Sequence, residues 1–289
     1  MVLFLSYYEP FAGLCNQLYL ITNHIHSAYV QGKKIYIHKF NIDIFKKNRI
    51  PASEFFDLHL TNLNLEKLLG PKPIETEMPG EIENIPQLCI YPVSSIEILN
   101  CLEFNENVNL KVKTIKGNFP DGYYSIHFRL DIDAIIHYTF GKDIYTRFMD
   151  LANNSLESAM EYFQSLDLNK MNKYCSFLMK QYFYFLLKMG FDKTWYISTS
   201  LTKWDIHNPM IPFLKQLVDF ILNNGGVYYI SPVIYQDREL NALVDLLVLR
   251  DSIKLIGFEG SSFSEGYCLK VNTIRKVTTQ FFFVKEYEV

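Results

Sequence analysis

Tyr123-Tyr124-Ser125-Ile126-His127-Phe128-Arg129-Leu130-Asp131-Ile132-Asp133 is the stretch on which the fold turns. Its first half is aromatic and β-branched, and Pro120 and Gly122 break the chain just before it, which is the pattern of a buried strand. Side chains on a strand alternate faces with period two. His127, Arg129, Asp131 and Asp133 fall at i, i+2, i+4 and i+6, so a strand that runs through Asp133 points all four to one side, off its C-terminal end. In open α/β sheets that end is where ligands bind. An imidazole, a guanidinium and two carboxylates are too costly to bury unpaired. They pair with one another as a salt-bridged strand end, or they meet a charged ligand. A metal is the third reading, and Arg129 in the middle of the row opposes it, because a fixed cation repels a second one.

The chain after this stretch alternates. Strand patterns cover Thr194–Thr199, Val227–Ser231, Ile253–Gly257 and Thr278–Val284. Helical patterns cover Asp143–Leu151, Ser155–Ser165, Lys170–Met189, Pro212–Leu222 and Glu239–Leu249. The last carries an apolar stripe of Leu240, Leu243, Val244, Leu247 and Val248, with Asp245 close to it. Such alternation predicts a parallel sheet with helices on both faces. Gly260-Ser261-Ser262-Phe263-Ser264 leads from a strand into a short helix. Hydroxyls and free helix N–H groups there make an anion seat without a lysine, or a serine simply caps the helix.

Upstream, Val2–Ser6 reads as a strand, Tyr7–Gly13 as a turn, and Lys34–His38 as a second strand. Between them Leu14, Leu18, Ile21, Ile25, Ala28 and Tyr29 recur with helical spacing up to Gly32. Asn16 and Gln17 lie in the first turn, where unpaired N–H groups and the dipole favour an anion; Asn16 as a plain cap is the alternative. Prolines and glycines break residues 40–120 into short pieces: helices near Glu54–Leu60, Leu63–Leu69 and Ser94–Leu102, and a strand near Leu88–Tyr91. The expected architecture is α/β with two Rossmann-like domains, 1–117 and 118–289. They face across a cleft lined by strand C-termini and helix N-termini, a setting that suits a nucleotide diphosphate.

Composition agrees and excludes. The 289 residues are 49% hydrophobic and 16% aromatic, enough for a real core. A net charge of −3 offers no basic field for nucleic acid. Cys15, Cys89, Cys101, Cys175 and Cys268 are scattered, odd in number and without a CxxC; this fits reduced thiols better than a disulfide frame or a zinc site. No signal peptide and no membrane span is read in the sequence. A cytoplasmic enzyme of microbial or viral origin is the expectation. Walker A, GxGxxG and GxSxG patterns are missing, which argues against a P-loop NTPase, a dinucleotide enzyme and a serine hydrolase.

His127-Phe-Arg129-Leu-Asp131-Ile-Asp133 resembles the H-x-R-x-E-x-D segment of the GDP-fucose O-fucosyltransferase-like family. Three further stretches follow that family's order. They are Gly13-Leu-Cys-Asn16-Gln17, Met189-Gly-Phe-Asp192 with the strand ending at Ser198-Thr199, and Asn241–Val248 with Ile256–Ser264. The resemblance implies a GT-B fold and inverting, metal-independent sugar transfer from a nucleotide diphosphate to a hydroxyl of a glycan or glycoprotein. GDP-fucose is the favoured donor and a UDP-sugar such as UDP-xylose the other; no cofactor is implied. It also implies donor contacts from Gly13, Asn16, His127, Arg129, Ser198, Asp245, Ser261, Ser262 and Phe263, with Arg129 neutralising the leaving diphosphate. An inverting displacement needs a base for the acceptor hydroxyl. Asp131, where the family has Glu, and Asp133 are the candidates by position, with Glu9 or a carboxylate from residues 40–110 behind them. A nucleotide- or glycan-binding module without catalysis is the alternative function, and a metal-dependent phosphate-ester enzyme using His127 and the two aspartates is a third.

Overall fold

The computed structural model describes residues 2–5, 13–43, 48–71, 73–80, 82–84, 96–130, 132–199 and 210–285. The chain divides into two compact units. The first holds 1–117 with 235–248 and 266–277; the second holds 118–234, 249–265 and 278–289. The second half of the chain thus lends two segments to the first unit, which an uninterrupted 118–289 domain does not anticipate. Each unit is built on a parallel sheet.

In the first unit β1 (Val2–Leu5) leads to helix α1 (Leu14–Val30) and β2 (Lys34–Ile37). Helix α1 buries Leu14, Leu18, Ile21, Ile25 and Ala28 of the stripe its spacing predicts, while Tyr29, the last of that stripe, is exposed. A hairpin of β3 (Lys39–Asp43) and β4 (Asn48–Pro51) follows, then α2 (Ala52–Phe55) and α3 (Leu58–Leu69). Next come β5 (Ile74–Glu75), β6 (Ile82–Asn84), α4 (Ile96–Cys101) and α5 (Glu106–Lys116). The four parallel strands lie in the order β5-β2-β1-β6. Gln17 fixes the hairpin to α1. Its amide nitrogen donates to the Asn41 carbonyl at 3.0 Å, and its amide oxygen accepts from the Asn41 N–H at 3.1 Å. Phe40, Phe55, Phe56 and Phe104 pack in one aromatic cluster, with the Phe40 and Phe55 rings stacked at 3.8 Å. The strand expected at Leu88–Tyr91 and most of the Tyr7–Gly13 turn lie outside the described residues.

The second unit starts at β7 (Tyr123–His127). Helices α6 (Ile132–Phe140), α7 (Lys142–Asn154), α8 (Leu156–Gln164) and α9 (Leu168–Met189) come before β8 (Thr194–Ser198). Then come α10 (Ile211–Asn223), β9 (Tyr228–Ile230) and, after helix α11 (Arg238–Arg250), which belongs to the first unit up to residue 248, β10 (Lys254–Phe258). A π-helical segment, Ser262–Leu269, runs into α12 (Lys270–Arg275), the chain passing to the first unit at residue 266, and β11 (Gln280–Val284) ends the second unit's sheet. The strands are all parallel, in the order β11-β10-β7-β8-β9. Counted within the unit this is 5-4-1-2-3, the doubly wound order. Its direction reverses between β7 and β10, and the crevice beyond the carboxyl ends of those two strands is the expected ligand position.

The strand does not run through Asp133. Strand β7 ends at His127, and a helix begins at Ile132. Tyr182 of α9, fully buried, sets the exit: its hydroxyl donates to the His127 carbonyl at 2.9 Å and accepts the Arg129 N–H at 3.3 Å. The Phe128 N–H still pairs with the Ser198 carbonyl at 2.9 Å. Helix α6 forms from β-branched residues because Ala134, Ile135 and Ile136 gain burial there, so packing overrides local propensity. Among the described residues no helix is long and apolar enough to cross a membrane.

Candidate functional site

In the second unit the site gathers at the switch point. His127 is the last residue of β7, in register with the buried Ser198 of β8. On its other side β10 delivers the serine loop. The His127 ring stacks on Phe263 with centroids 4.9 Å apart and planes 30° apart. Its Nδ1 lies 3.3 Å from the Ser264 hydroxyl. Burial, and then the neighbouring Arg129 charge, hold the imidazole down to about 3, so it is neutral near pH 7. The Arg129 guanidinium lies against two aromatic rings, 5.7 Å from the Phe258 centroid and 5.8 Å from that of Tyr138. Cation–π contact of this kind steadies a guanidinium without consuming its hydrogen-bond donors.

The serine loop is tightly wired. Gly260 turns the chain at φ 73°, and its N–H donates to Glu265 Oε2 at 2.7 Å. The Ser261 N–H donates to the Phe258 carbonyl at 3.1 Å, and the Ser261 hydroxyl accepts the Phe263 N–H at 3.2 Å. The Glu265 N–H returns to the Ser261 carbonyl at 3.0 Å. The amides of Gly260, Ser261, Phe263 and Glu265 are therefore engaged within the loop, and the helix that follows is π rather than α. Free N–H groups, the basis of the anion seat read from the sequence, are not what these four supply. What the loop presents is the Ser262 and Phe263 side chains, both half-buried. Ser264 is fully buried, accepts the Phe258 N–H at 2.9 Å, and lies 3.2 Å from the Phe258 carbonyl. Gly257 makes room for it: a Cβ there falls 2.9 Å from Ser264 Cβ.

Gly13, Asn16 and Asp245 belong to the first unit. Gly13 is the N-cap residue of α1 and offers no side chain. Asn16 is half-buried in the first turn, and Asp245 is buried on α11. The N-terminus of α1 is not an open anion seat either. Its Leu14 N–H donates to Glu239 Oε2 at 2.7 Å, and that carboxylate is 2% exposed. A carboxylate at a helix N-terminus is favoured by the free N–H groups and the dipole, and Arg238 lies 3.8 Å from its other oxygen. Asp131 and Glu9 lie outside the described residues, and Asp133 falls in α6 rather than on the strand. Among the described residues no three His, Cys, Asp or Glu side chains form a metal-holding group.

The structure thus brings together His127, Arg129, Ser198, Ser261, Ser262 and Phe263, and gives roles that the sequence does not show to further residues. Ser264 sits one place beyond the Ser-Ser-Phe run. Tyr138 comes from α6, a helix the sequence pattern does not announce, and Tyr182 from the helix expected over Lys170–Met189. Glu239 reads as an ordinary first-turn acid; its partner lies 225 positions away, and no local signal reveals that.

No protein-family model matches the chain, and no curated protein matches it. A solved structure of POFUT1, a protein O-fucosyltransferase, in its apo form is similar over 97% of this chain and 97% of its own, with a TM-score of 0.54 and 12% identity. At that identity the likeness is one of fold. With the two parallel sheets it makes this chain an α/β protein of the GT-B type, with the fold of an O-fucosyltransferase.

Proposed function

We propose that the protein is an inverting, metal-independent glycosyltransferase that moves a sugar from a nucleotide diphosphate to a hydroxyl of a glycan or glycoprotein. The fold likeness suggests the glycosyltransferase class. One observation carries the site: a neutral His127, stacked on Phe263 and backed by Arg129, stands at the switch point of a doubly wound sheet. Doubly wound sheets take nucleotides at that crevice.

Departure of a diphosphate builds negative charge on its oxygens, and preorganised donors must meet it. Arg129 is the candidate, a fixed cation held against two rings. Phe263 and His127 offer a flat apolar wall for a nucleobase, and Ser262 offers a hydroxyl. Asp131 and Asp133 stand as candidate bases for the acceptor hydroxyl, by sequence position. The donor roles of Gly13, Asn16, Ser198, Ser261 and Asp245 rest on the resemblance alone. The donor is GDP-fucose or a UDP-sugar such as UDP-xylose.

The test is a product assay with each of these donors, in EDTA, over a panel of glycan and peptide acceptors. Transfer with inversion at the anomeric carbon is expected. Donor binding with neither transfer nor hydrolysis on any acceptor would instead make the protein a binding module. Activity that disappears in EDTA would exclude the metal-independent reading.

A further inference from the structure

Ser264 faces His127 Nδ1 with its hydroxyl, at 3.3 Å. Its hydroxyl has one hydrogen and two lone pairs. One lone pair accepts the Phe258 N–H at 2.9 Å. The hydrogen then has two possible acceptors, the Phe258 carbonyl at 3.2 Å and His127 Nδ1 at 3.3 Å. If it goes to His127, the Ser264 and Phe258 oxygens face each other at 3.2 Å with no proton between them, and their lone pairs repel. If it goes to the carbonyl, that contact becomes a hydrogen bond. The second lone pair of Ser264 then accepts a proton from Nδ1, and the buried hydroxyl makes three bonds instead of two. Ser264 is fully buried, with no solvent to rescue the poorer arrangement. Gly257 and Phe258 hold it against the strand, leaving the hydroxyl little freedom to swing.

We propose that Ser264 is a positioning residue that fixes His127 as the Nδ1–H tautomer, so that its Nε2 presents a lone pair and accepts a hydrogen bond from a ligand hydroxyl or N–H. A neutral histidine of this tautomer repels a phosphate oxygen at Nε2 and favours a donor group there. In such a site phosphate is left to Arg129, and His127 reads a hydroxyl or N–H of the same ligand. The tautomer stands on the protein alone; the identity of the ligand rests on the nucleotide-sugar reading above.

The experiment is long-range ¹H–¹⁵N correlation NMR of the whole protein labelled in histidine, at neutral pH, with His127 assigned by loss of its signals in His127→Gln. Wild type is expected to show a protonated-type Nδ1 and an unprotonated-type Nε2. In Ser264→Ala the two nitrogens should move toward the averaged or reversed pattern. A protonated Nε2 in wild type overturns the proposal, and so does an unchanged Nδ1–H in Ser264→Ala. The wild-type spectrum decides the tautomer even if the variant does not fold. Saturating GDP or UDP, added separately, should move Nε2 toward the hydrogen-bonded range and leave Nδ1 protonated. Nucleotide binding to wild type without movement of Nε2 overturns the acceptor role. If neither nucleotide binds, the nucleotide reading fails while the tautomer is still decided by the free protein. Affinity for the nucleotide that binds should fall about tenfold in Ser264→Ala, the cost of one hydrogen bond.

Discussion

At the scale of single residues, charge decides the site. Arg129 is half-buried and lies over the rings of Phe258 and Tyr138, so Arg129→Ala should leave the fold intact. Loss of one such charge-stabilising donor costs on the order of 3 kcal/mol in the transition state, about a hundredfold in kcat. Steady-state kinetics beside an unchanged circular dichroism spectrum would check it. His24 tests the same physics away from the site. It is 2% exposed on α1, its Nδ1 has no hydrogen-bond partner among the described residues, and burial lowers it to about 4. Its charged form is disfavoured in the fold and allowed in the unfolded chain. Its effect on stability is nil above pH 6.5, grows as the pH falls toward 4, and amounts to roughly 3 kcal/mol in the limit. His127, lowered to about 3, adds to the same acid-side loss. Urea titrations across pH 4 to 7 should show a flatter profile for His24→Leu than for wild type; identical slopes would remove His24 from the acid response.

At the scale of elements, β7 and its exit decide the site. Tyr182→Phe deletes the hydroxyl that bridges the His127 carbonyl and the Arg129 N–H. A loss of about 1–2 kcal/mol is expected by denaturant unfolding, together with weaker activity, since Arg129 is launched from that bridge. Strands β7, β8, β10 and β11 and helix α1 were legible from their periodicity. Strands β7, β8 and β10 are apolar runs buried nearly throughout, α1 buries its predicted stripe except Tyr29, and β11 is an apolar run of which Val284 is buried and the three phenylalanines half-buried. Helix α6 was not, because its Ile-Asp-Ala-Ile-Ile run has strand propensity and becomes a helix only by packing. The β3–β4 hairpin was missed too, since its anchor is a side chain on another element, Gln17. In the site, His127, Arg129 and the serine run were readable as residues of costly chemistry near a strand end. Ser264, Tyr182 and Glu239 were not, because their roles arise from contacts made 53 to 225 positions away.

At the scale of the whole molecule, the two units are interleaved in sequence. Residues 235–248 and 266–277 complete the first unit and bring Glu239 to the head of α1 and Asp237 to Asn48 at 2.8 Å. A fragment of residues 1–117 should therefore fail to fold alone, and should gain structure when expressed together with 118–289. Amide spectra of the fragment, alone and mixed, would show it; a dispersed spectrum for the fragment alone would refute the shared first unit. The measurement that bears most directly on the central claim is the melting temperature of wild type and Arg129→Ala with GDP, UDP and their sugar conjugates, in EDTA. A ligand bound only by the native state at a hundred times its Kd adds about 2.7 kcal/mol, which for a protein of this size raises Tm by about 5 °C or more. The account predicts such a rise with one nucleotide in wild type and its loss in Arg129→Ala. No rise with any of them, or an equal rise in the variant, would contradict a nucleotide-diphosphate site at the end of β7.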